Sequence, residues 1–382
     1  MASIELIKDV ERAIRYGHPW IYRDALVPAS LQTGTVVDVV NRKKQFVARG
    51  LYDARSPIAV RVATLNRDEP IDDQFVRARL QVALTLRQTL LPKAVSAFRW
   101  CSGEGDFLPG IVVDLYARTA VLRIDGEAAT VWRAAVVQAV VDLGRSFGLD
   151  CVYERWAKGG AVRFGRAPEE TVAIVEHGAK FLVDVVRGQK NGFFLDQREN
   201  RRLLAPYCKG AQVCNLFGYT GGFSVYAALA GAERVVTVDS AKPALEEAKK
   251  NFACNRIDLG AHQFVVADAF AWLSETRDRF DLVISDPPSF APSEKALPKA
   301  LLAYRELHTL GLKRVRRGGL FAAASCSSHV GLPQFMQTVA EGAERAGVRA
   351  RVVATRGQPI DHPSAAGFVH GRYLKFVLLT VD

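Results

Sequence analysis

The sequence predicts an α/β protein in three parts: a small β domain over residues 1–70, a central α+β domain over 71–187, and a C-terminal α/β domain over 188–382 built on a parallel-type sheet. Three observations predict it. At 382 residues the chain exceeds the ~250 to 300 at which a single core usually stops growing. Short alternating apolar runs crowd the N-terminal part, and from about residue 195 strand-like and helix-like runs alternate strictly.

Between residues 33 and 64, TVVDVV, QFVARGLY and IAVRVATL alternate apolar and polar positions, the period of half-buried antiparallel strands. DDQFVRARLQVALTLRQTLL, residues 72–91, opens on acidic residues and repeats apolar positions at helical spacing, which begins a new domain. FRWCSGEGDFLPGIVVDLYARTAVLRIDG then supplies two or three strands punctuated by Gly and Pro, ATVWRAAVVQAVVDLGRSFG an apolar helix, and further strands run to about residue 187. In the C-terminal part QVCNLF leads to FSVYAALAGA, RVVTVD to AKPALEEAKKNFACN, QFVVAD to AFAWLSE, DLVISD to PKALLAYRELHTLGLKRV and LFAAAS to PQFMQTVAEGAERAG, before closing strands RVVATR and YLKFVLLTV. Such units build a parallel sheet covered on both faces, with a ligand crevice at the carboxyl ends of the strands. The chemistry is therefore expected in the loops that follow each strand.

A composition of 49% hydrophobic and 24% charged residues is that of a globular protein, with no low-complexity tract and no convincing internal repeat. The N-terminal MASIELIKDVERAIRYGHPW mixes charges with apolar residues and never builds the apolar stretch of a signal peptide or spanning helix, so a cytoplasmic protein with no membrane partner is expected. Cys101, Cys151, Cys208, Cys214, Cys254 and Cys326 are scattered, without C-x-x-C pairs or a histidine at ligand spacing; reduced thiols are expected, with neither a disulfide framework nor a metal site. The net charge of +11 favours a polyanionic partner, because each phosphate neutralised by Lys or Arg releases condensed counterions. Of its basic clusters, NRKK and KRVRR, the second reads equally well as cations complementing a helix C-terminus.

The strand ends carry the sharper signals. NLFGYTGGFS, Asn215 to Ser224, holds Gly218, Gly221 and Gly222, which permit a tight turn and close approach of backbone to ligand; it lacks the G-x-G-x-x-G spacing of a nicotinamide dehydrogenase. RVVTVD ends in Asp239, where an acid in a nucleotide-type fold binds a ribose diol, QFVVAD ends in Asp268, and DLVISD in Asp286. Each alone is as readily an N-cap for the next helix, but three in series favour a crevice. In SDPPSF two prolines make the turn rigid, and Phe290 is available to stack on a planar base. The next strand delivers FAAASCSSHV. Alone, Cys326 reads as a small hydrophobe at the end of a buried strand; following the Asp286 strand in sequence, it is expected to face the same pocket.

GQKNGFFLDQRENRR, NLFGYTGGFSVYAALAGAERVVTVDSAKPALEEAKKN, DLVISDPPSF and SCSSHV, in that order, closely resemble the bacterial RlmI-type 23S rRNA cytosine-5 methyltransferases, as do GHPWIY, VARGLYDARSPIAVRV and EGDFLPGIVVDLY nearer the N-terminus. The resemblance covers essentially the whole chain. It implies a Rossmann-like class I methyltransferase domain using S-adenosyl-L-methionine, preceded by a small β-barrel PUA domain that binds RNA and a central α+β domain. It implies that the loop from Asn215 to Gly222, with Phe217, Tyr219, Thr220 and Gly221, cradles the methionine part of the cofactor. Asp239, with Ser240 beside it, would bind the ribose hydroxyls, Asp268 would accept from the adenine amino group, and Asp286 would line the methyl-transfer site. Asp196, Gln197 and Arg198 resemble the segment that closes over the cofactor, where Gln197 and Arg198 meet its carboxylate; Arg198 is otherwise a structural ion pair at a helix start. Asn191 stands where the family more often has threonine.

Cytosine carbon 5 is a poor nucleophile, and a thiolate added at carbon 6 converts the ring to an enamine that attacks an electrophilic methyl group. By the resemblance Cys326 is that nucleophile, and Asp286, bonded to ring nitrogen 3 or the exocyclic amine, stabilises the adduct. Ser289 stands where the other large group of RNA cytosine-5 methyltransferases carries a second cysteine, which leaves His329 or a water to remove the carbon 5 proton. The implied partner is 23S rRNA, free or in a large-subunit assembly intermediate, and a homodimer is left open. Two other readings stay open: methylation of a purine amine or ring nitrogen, which needs no thiol, and an rRNA-binding assembly factor without catalysis. In the N-terminal domain Trp20 and Tyr22 beside Arg23 offer RNA stacking and phosphate contacts, unless Trp20 fills the small barrel.

Overall fold

The computed structural model describes residues 2–157, 159–168, 171–188 and 191–382; Gln189 and Lys190 of the GQKNGFF segment lie outside them. The chain forms two compact units, one of Met1–Ile174, Val183–Leu195 and Ile360–Gly371, the other of Val175–Leu182, Asp196–Pro359 and Arg372–Asp382.

The first unit begins with β1 (Ala2–Glu5), α1 (Glu11–Arg15), β2 (Trp20–Tyr22), β3 (Val36–Val40), β4 (Phe46–Tyr52) and β5 (Ile58–Thr64), in one sheet of order β1-β3-β4-β5-β2. The alternation read in VVDVV is real: Val37 and Val39 are wholly buried and pack with Ile4, Val47 and Val60. The barrel expected here is not closed. Its edge strands β1 and β2, four and three residues long, pair with β3 and β5 but not with each other, and the segments that follow them touch in an isolated bridge between Leu6 and Leu26. Neither strand carries enough alternation to be read from sequence.

Further along, α2 (Asp73–Leu90) starts at Asp72, whose side chain accepts from the Phe75 N–H at 2.9 Å and so satisfies a donor the helix leaves open. A second sheet of order β10-β9-β8-β7-β6 comprises β6 (Ala97–Ser102), β7 (Ile111–Tyr116), β8 (Thr119–Ile124), β9 (Cys151–Trp156) and β10 (Gly159–Gly165), with α3 (Arg133–Gly144) between β8 and β9. Val76, Leu80, Trp100, Val113, Leu122 and Val136 share its core. The buried Arg87 guanidinium forks onto Asp106 at 2.5 and 2.7 Å and donates to the Asp361 carbonyl at 2.8 Å, which fixes the Ile360–Gly371 segment within this unit. A two-stranded sheet of β11 (Val172–Glu176) and β12 (Ala179–Val183) follows.

The second unit contains α4 (Arg198–Leu204), β13 (Gln212–Leu216), α5 (Gly222–Leu229), β14 (Arg234–Asp239), α6 (Lys242–Cys254), β15 (Gln263–Val266), α7 (Ala269–Glu275), β16 (Phe280–Ser285), α8 (Leu297–Leu312), β17 (Val315–Ser325), α9 (Leu332–Ala346), β18 (Ala350–Arg356) and β19 (Lys375–Val381). Its sheet runs β15-β14-β13-β16-β17-β19-β18. The neighbours from β15 to β17 are parallel, as the strand and helix rhythm requires, and the order reverses between β13 and β16, the switch point beyond whose carboxyl strand ends open α/β sheets bind their ligands. β19 departs from the parallel pattern and runs antiparallel to both neighbours, with no α-helix among the described residues between β18 and β19 to make a crossover. Strand residues alternate between two cores: Val283 joins Tyr304, Leu307 and Phe335 of α8 and α9, whereas Leu282 and Ile284 join Phe223 of α5 and Leu204 of α4. Each such side chain contributes about 1.5–3 kcal/mol of burial, so both faces are covered. Among the described residues no helix is long and apolar enough to cross a membrane.

Candidate active site

The chain leaves β13 through Phe217 and Tyr219, whose φ angles of 56° and 45° are left-handed. Non-glycine residues pay about 1–3 kcal/mol for such a conformation, and the surroundings must hold it. Three backbone donors do so: Gly218 N–H to the Val238 carbonyl (3.0 Å), Gly221 N–H to the Gly218 carbonyl (2.8 Å) and Tyr219 N–H to Asp239 Oδ2 (2.9 Å). Gly218 has no room for a side chain, since a Cβ would run into the Thr237 methyl group. Gly218→Ala is accordingly expected to cost about 1–3 kcal/mol, read as a lower midpoint in chemical denaturation.

Asn215, buried at the end of β13, donates Nδ2 to Ser224 Oγ at 2.9 Å, and that hydroxyl pairs with Thr237 Oγ1 at 2.8 Å. Its Oδ1 is buried with no hydrogen-bond partner among the described residues, as is Ser285 Oγ at the end of β16. Thr220 is buried and its carbonyl accepts from Asn251 Nδ2 at 2.9 Å. Asp239 also accepts the Ala241 N–H at 2.8 Å, so this half-buried acid ties the first loop to the entry of α6; Ser240 beside it is exposed. Asp268 is exposed and caps α7 by accepting the Ala271 N–H at 3.0 Å through Oδ1. The capping reading describes that oxygen.

Upstream, Gln197 is buried and joins the fourth strand's loop: its Nε2 donates to Asp286 Oδ1 at 2.9 Å while its Oε1 accepts from Asn200 Nδ2 at 2.6 Å. Asp196 accepts from the Tyr373 hydroxyl at 2.8 Å. Arg198, 0% exposed, donates Nε to Glu199 at 3.3 Å in an ion pair at the start of α4.

The SDPPSF and SCSSH loops are joined by hydroxyls. Ser327 Oγ lies 3.1 Å from Ser289 Oγ and 3.0 Å from the Tyr304 hydroxyl, which in turn lies 2.9 Å from Ser325 Oγ. Cys326, half-buried, sits between those two serines, and His329 on the same loop is exposed. Burial pushes the Cys208 thiol up to about 12 and Cys151 to about 11, and raises Cys101 and Cys214 beyond that, so these four are inert.

Sequence reasoning missed Lys375. It opens β19 opposite Ser325, is 5% exposed, and donates Nζ to the carbonyls of Ser327 (2.6 Å) and Tyr373 (2.7 Å). Burial pulls its ammonium down to about 8, a pull that a thiolate at Cys326 would oppose. A lone lysine in the otherwise apolar run YLKFVLLTV was the available signal, because central strands are nearly continuous in apolar residues. In the first unit, the Trp20 indole N–H is held by Glu104 at 2.9 Å and Arg23 by the Ser56 carbonyl at 2.8 Å, whereas Tyr22 is exposed.

A PUA-like domain matches residues 4–65, and the S-adenosylmethionine-dependent methyltransferase family matches residues 120–366. The chain is 34% identical to ribosomal RNA large subunit methyltransferase I of Alteromonas mediterranea, covering 100% of this chain and 99% of that one. It is 36% identical to the protein of the same name from Aeromonas hydrophila, covering 98% of each. In fold it matches a chain from Streptococcus mutans assigned as a SAM-dependent methyltransferase, with a TM-score of 0.89 at 23% identity and 100% of both chains covered. The residues present fit that cofactor: the strained loop after β13 and the unpartnered Asn215 Oδ1 and Ser285 Oγ lie at the carboxyl ends of adjacent strands, where polar groups of a ligand would satisfy them. The chain belongs to the S-adenosylmethionine-dependent methyltransferases, in the family of the ribosomal RNA large subunit methyltransferases I.

Proposed function

We propose that the chain makes 5-methylcytosine in 23S rRNA in the cytoplasm, through a covalent adduct between Cys326 and the target base. The observation that carries this reading is the place of Cys326: a half-buried thiol just beyond β17, in a loop whose Ser327 carbonyl accepts from the buried Lys375 and whose Ser327 hydroxyl meets Ser289 of the Asp286 loop. The names of the relatives supply the ribosomal substrate. S-adenosylmethionine, when bound, supplies an electrophilic methyl group on a sulfonium. The loop from Asn215 to Gly221, with Asp239 and Ser240, would hold it, and Asp268 would accept from its adenine with the oxygen not used in capping.

In this reading the Cys326 sulfur adds to carbon 6 of the cytosine and leaves with its electron pair once carbon 5 has lost its proton. Asp286, oriented by Gln197, faces the base edge and stabilises the adduct. The thiol separates this reaction from methylation of a purine amine or ring nitrogen, which requires no nucleophile. The test is radiolabelled transfer from S-adenosylmethionine to 23S rRNA lacking its native methylations, followed by identification of the nucleoside. 5-Methylcytosine is expected; label found only in a purine would remove the thiol from the chemistry.

A further inference from the structure

Tyr304 is a buried phenol that the reaction above leaves without a task. It lies on α8 with its ring packed against Phe290 (4.9 Å between centroids), Phe335 (5.4 Å) and His308 (6.0 Å), so it stands as a fixed post. Its oxygen reaches the residues on both sides of Cys326, Ser325 Oγ at 2.9 Å and Ser327 Oγ at 3.0 Å. Ser327 Oγ carries the link onward: it accepts the Ala291 N–H at 3.3 Å and meets Ser289 Oγ at 3.1 Å, both on the loop that contains Asp286. A hydroxyl donates one hydrogen bond and accepts two. Placed between two serines, Tyr304 donates to one and accepts from the other, which a phenyl ring cannot do. Tyr304, Ser325 and Ser327 are all 0% exposed, so no water stands in for the phenol, and burial keeps its proton on.

We infer that Tyr304 is a positioning residue for methyl transfer: it pins the chain on both sides of Cys326 and, through Ser327, sets the spacing between that loop and the Asp286 loop. The inference rests on Cys326 as nucleophile. Carbon 6 of a cytosine lies across the ring from nitrogen 3, so the sulfur and the Asp286 carboxylate act at opposite edges of one pyrimidine. The two loops must then stand one ring width apart. A misplacement of about 1 Å between reacting groups costs about a hundredfold in rate, which makes a rigid tie between the loops useful to the chemistry.

The neighbouring ties do a different job. Lys375 holds the Cys326 loop from β19 by the Ser327 carbonyl, and Gln197 aims the Asp286 carboxylate. Tyr304 spans both flanks of the thiol and both loops.

The test is adduct trapping by the full chain with S-adenosylmethionine and 23S rRNA in which 5-fluorocytidine replaces cytidine. Sulfur bonds to carbon 6 and carbon 5 takes the methyl group, but fluorine does not leave as a cation, so the adduct persists and is read as a protein–RNA band on a denaturing gel. Tyr304→Phe keeps the ring and removes the hydroxyl. At saturating RNA it is expected to form the adduct about 30- to 100-fold more slowly than the unaltered protein, with affinities for RNA and cofactor within about twofold, a loss in kcat and not in KM. Adding Ser325→Ala and Ser327→Ala to Tyr304→Phe is expected to slow the reaction little further, because the hydroxyl chain is already broken. Cys214→Ala, in the core of β13, is expected to keep the unaltered rate per folded molecule, which separates positioning from lost stability. A Tyr304→Phe rate within about threefold of the unaltered one, or a loss confined to KM, overturns the inference. Should Tyr304→Phe not fold, Ser325→Ala removes one bond of the chain at a small side chain; about tenfold slower trapping is expected, and an unchanged rate overturns the inference. An unaltered protein that methylates ordinary rRNA yet traps no adduct would instead sink the nucleophile reading, so the two failures are distinguishable.

Discussion

Cys326→Ala is expected to slow methyl transfer to 23S rRNA by at least about a thousandfold while leaving the fold and cofactor binding intact, because a nucleophile carries a step that nothing else in the site performs. Its side chain is half-buried in a loop beyond β17, so its loss leaves little cavity and is expected to cost under about 1 kcal/mol. Cys214→Ala makes the complementary control. That thiol is wholly buried in β13, in the core shared with Leu216 and Val283, so its removal is expected to cost stability and leave the rate per folded molecule unchanged. Single-turnover transfer of labelled methyl, with cofactor affinity measured separately, checks both. Equal rates for Cys326→Ala and the unaltered protein would return the thiol to a packing role and move the reaction to the amine or ring-nitrogen class.

What could be read from sequence follows from what is local. The glycine loop, the strand-end acids Asp239, Asp268 and Asp286, and the thiol after β17 were all visible, because each sits at a boundary between an apolar run and a helical period, and parallel connectivity forces those boundaries to one edge. Register across the sheet is not local. Lys375 reaches the Cys326 loop only because β19 inserts antiparallel between β17 and β18 and aligns with Ser325, a pairing that spans 50 positions of sequence. The hydroxyl link from Ser289 through Ser327 to Tyr304 depends on side chains from three separate elements, and no pattern within one element announces it. The two short edge strands of the N-terminal sheet failed for the opposite reason: ASIE and WIY contain too few residues to establish a period of two. Arg198 was visible, and its alternative as an ion pair at a helix start was visible too. Its pairing with Glu199 depends on a burial that the charged run DQRENRR does not suggest.

Arg201→Met is expected to lower the stability of the second unit by about 3–5 kcal/mol, since removing one partner of a buried ion pair leaves the other charge uncompensated. Arg201 and Glu176 have side chains only 2% and 1% exposed, and the guanidinium forks onto both carboxylate oxygens at 2.7 Å. The Glu176 backbone carbonyl also accepts the Tyr226 hydroxyl at 2.9 Å, so the strand bearing this charge is anchored to α5 and cannot easily swing its carboxylate into water. Replacing both partners removes both desolvation costs, and Arg201→Met combined with Glu176→Leu is expected to recover most of the loss. Chemical denaturation of the two single variants and the double variant measures the coupling. The consequence for function runs through α4, which begins immediately after Gln197 and carries Arg201 one turn later. A loosened α4 releases the Gln197 amide from Asp286, so Arg201→Met is expected to slow methyl transfer under conditions where it remains folded, and the double variant to recover rate along with stability. A single-variant loss below about 1 kcal/mol would mean that water reaches Glu176 and that the pair is not what holds α4 against the site.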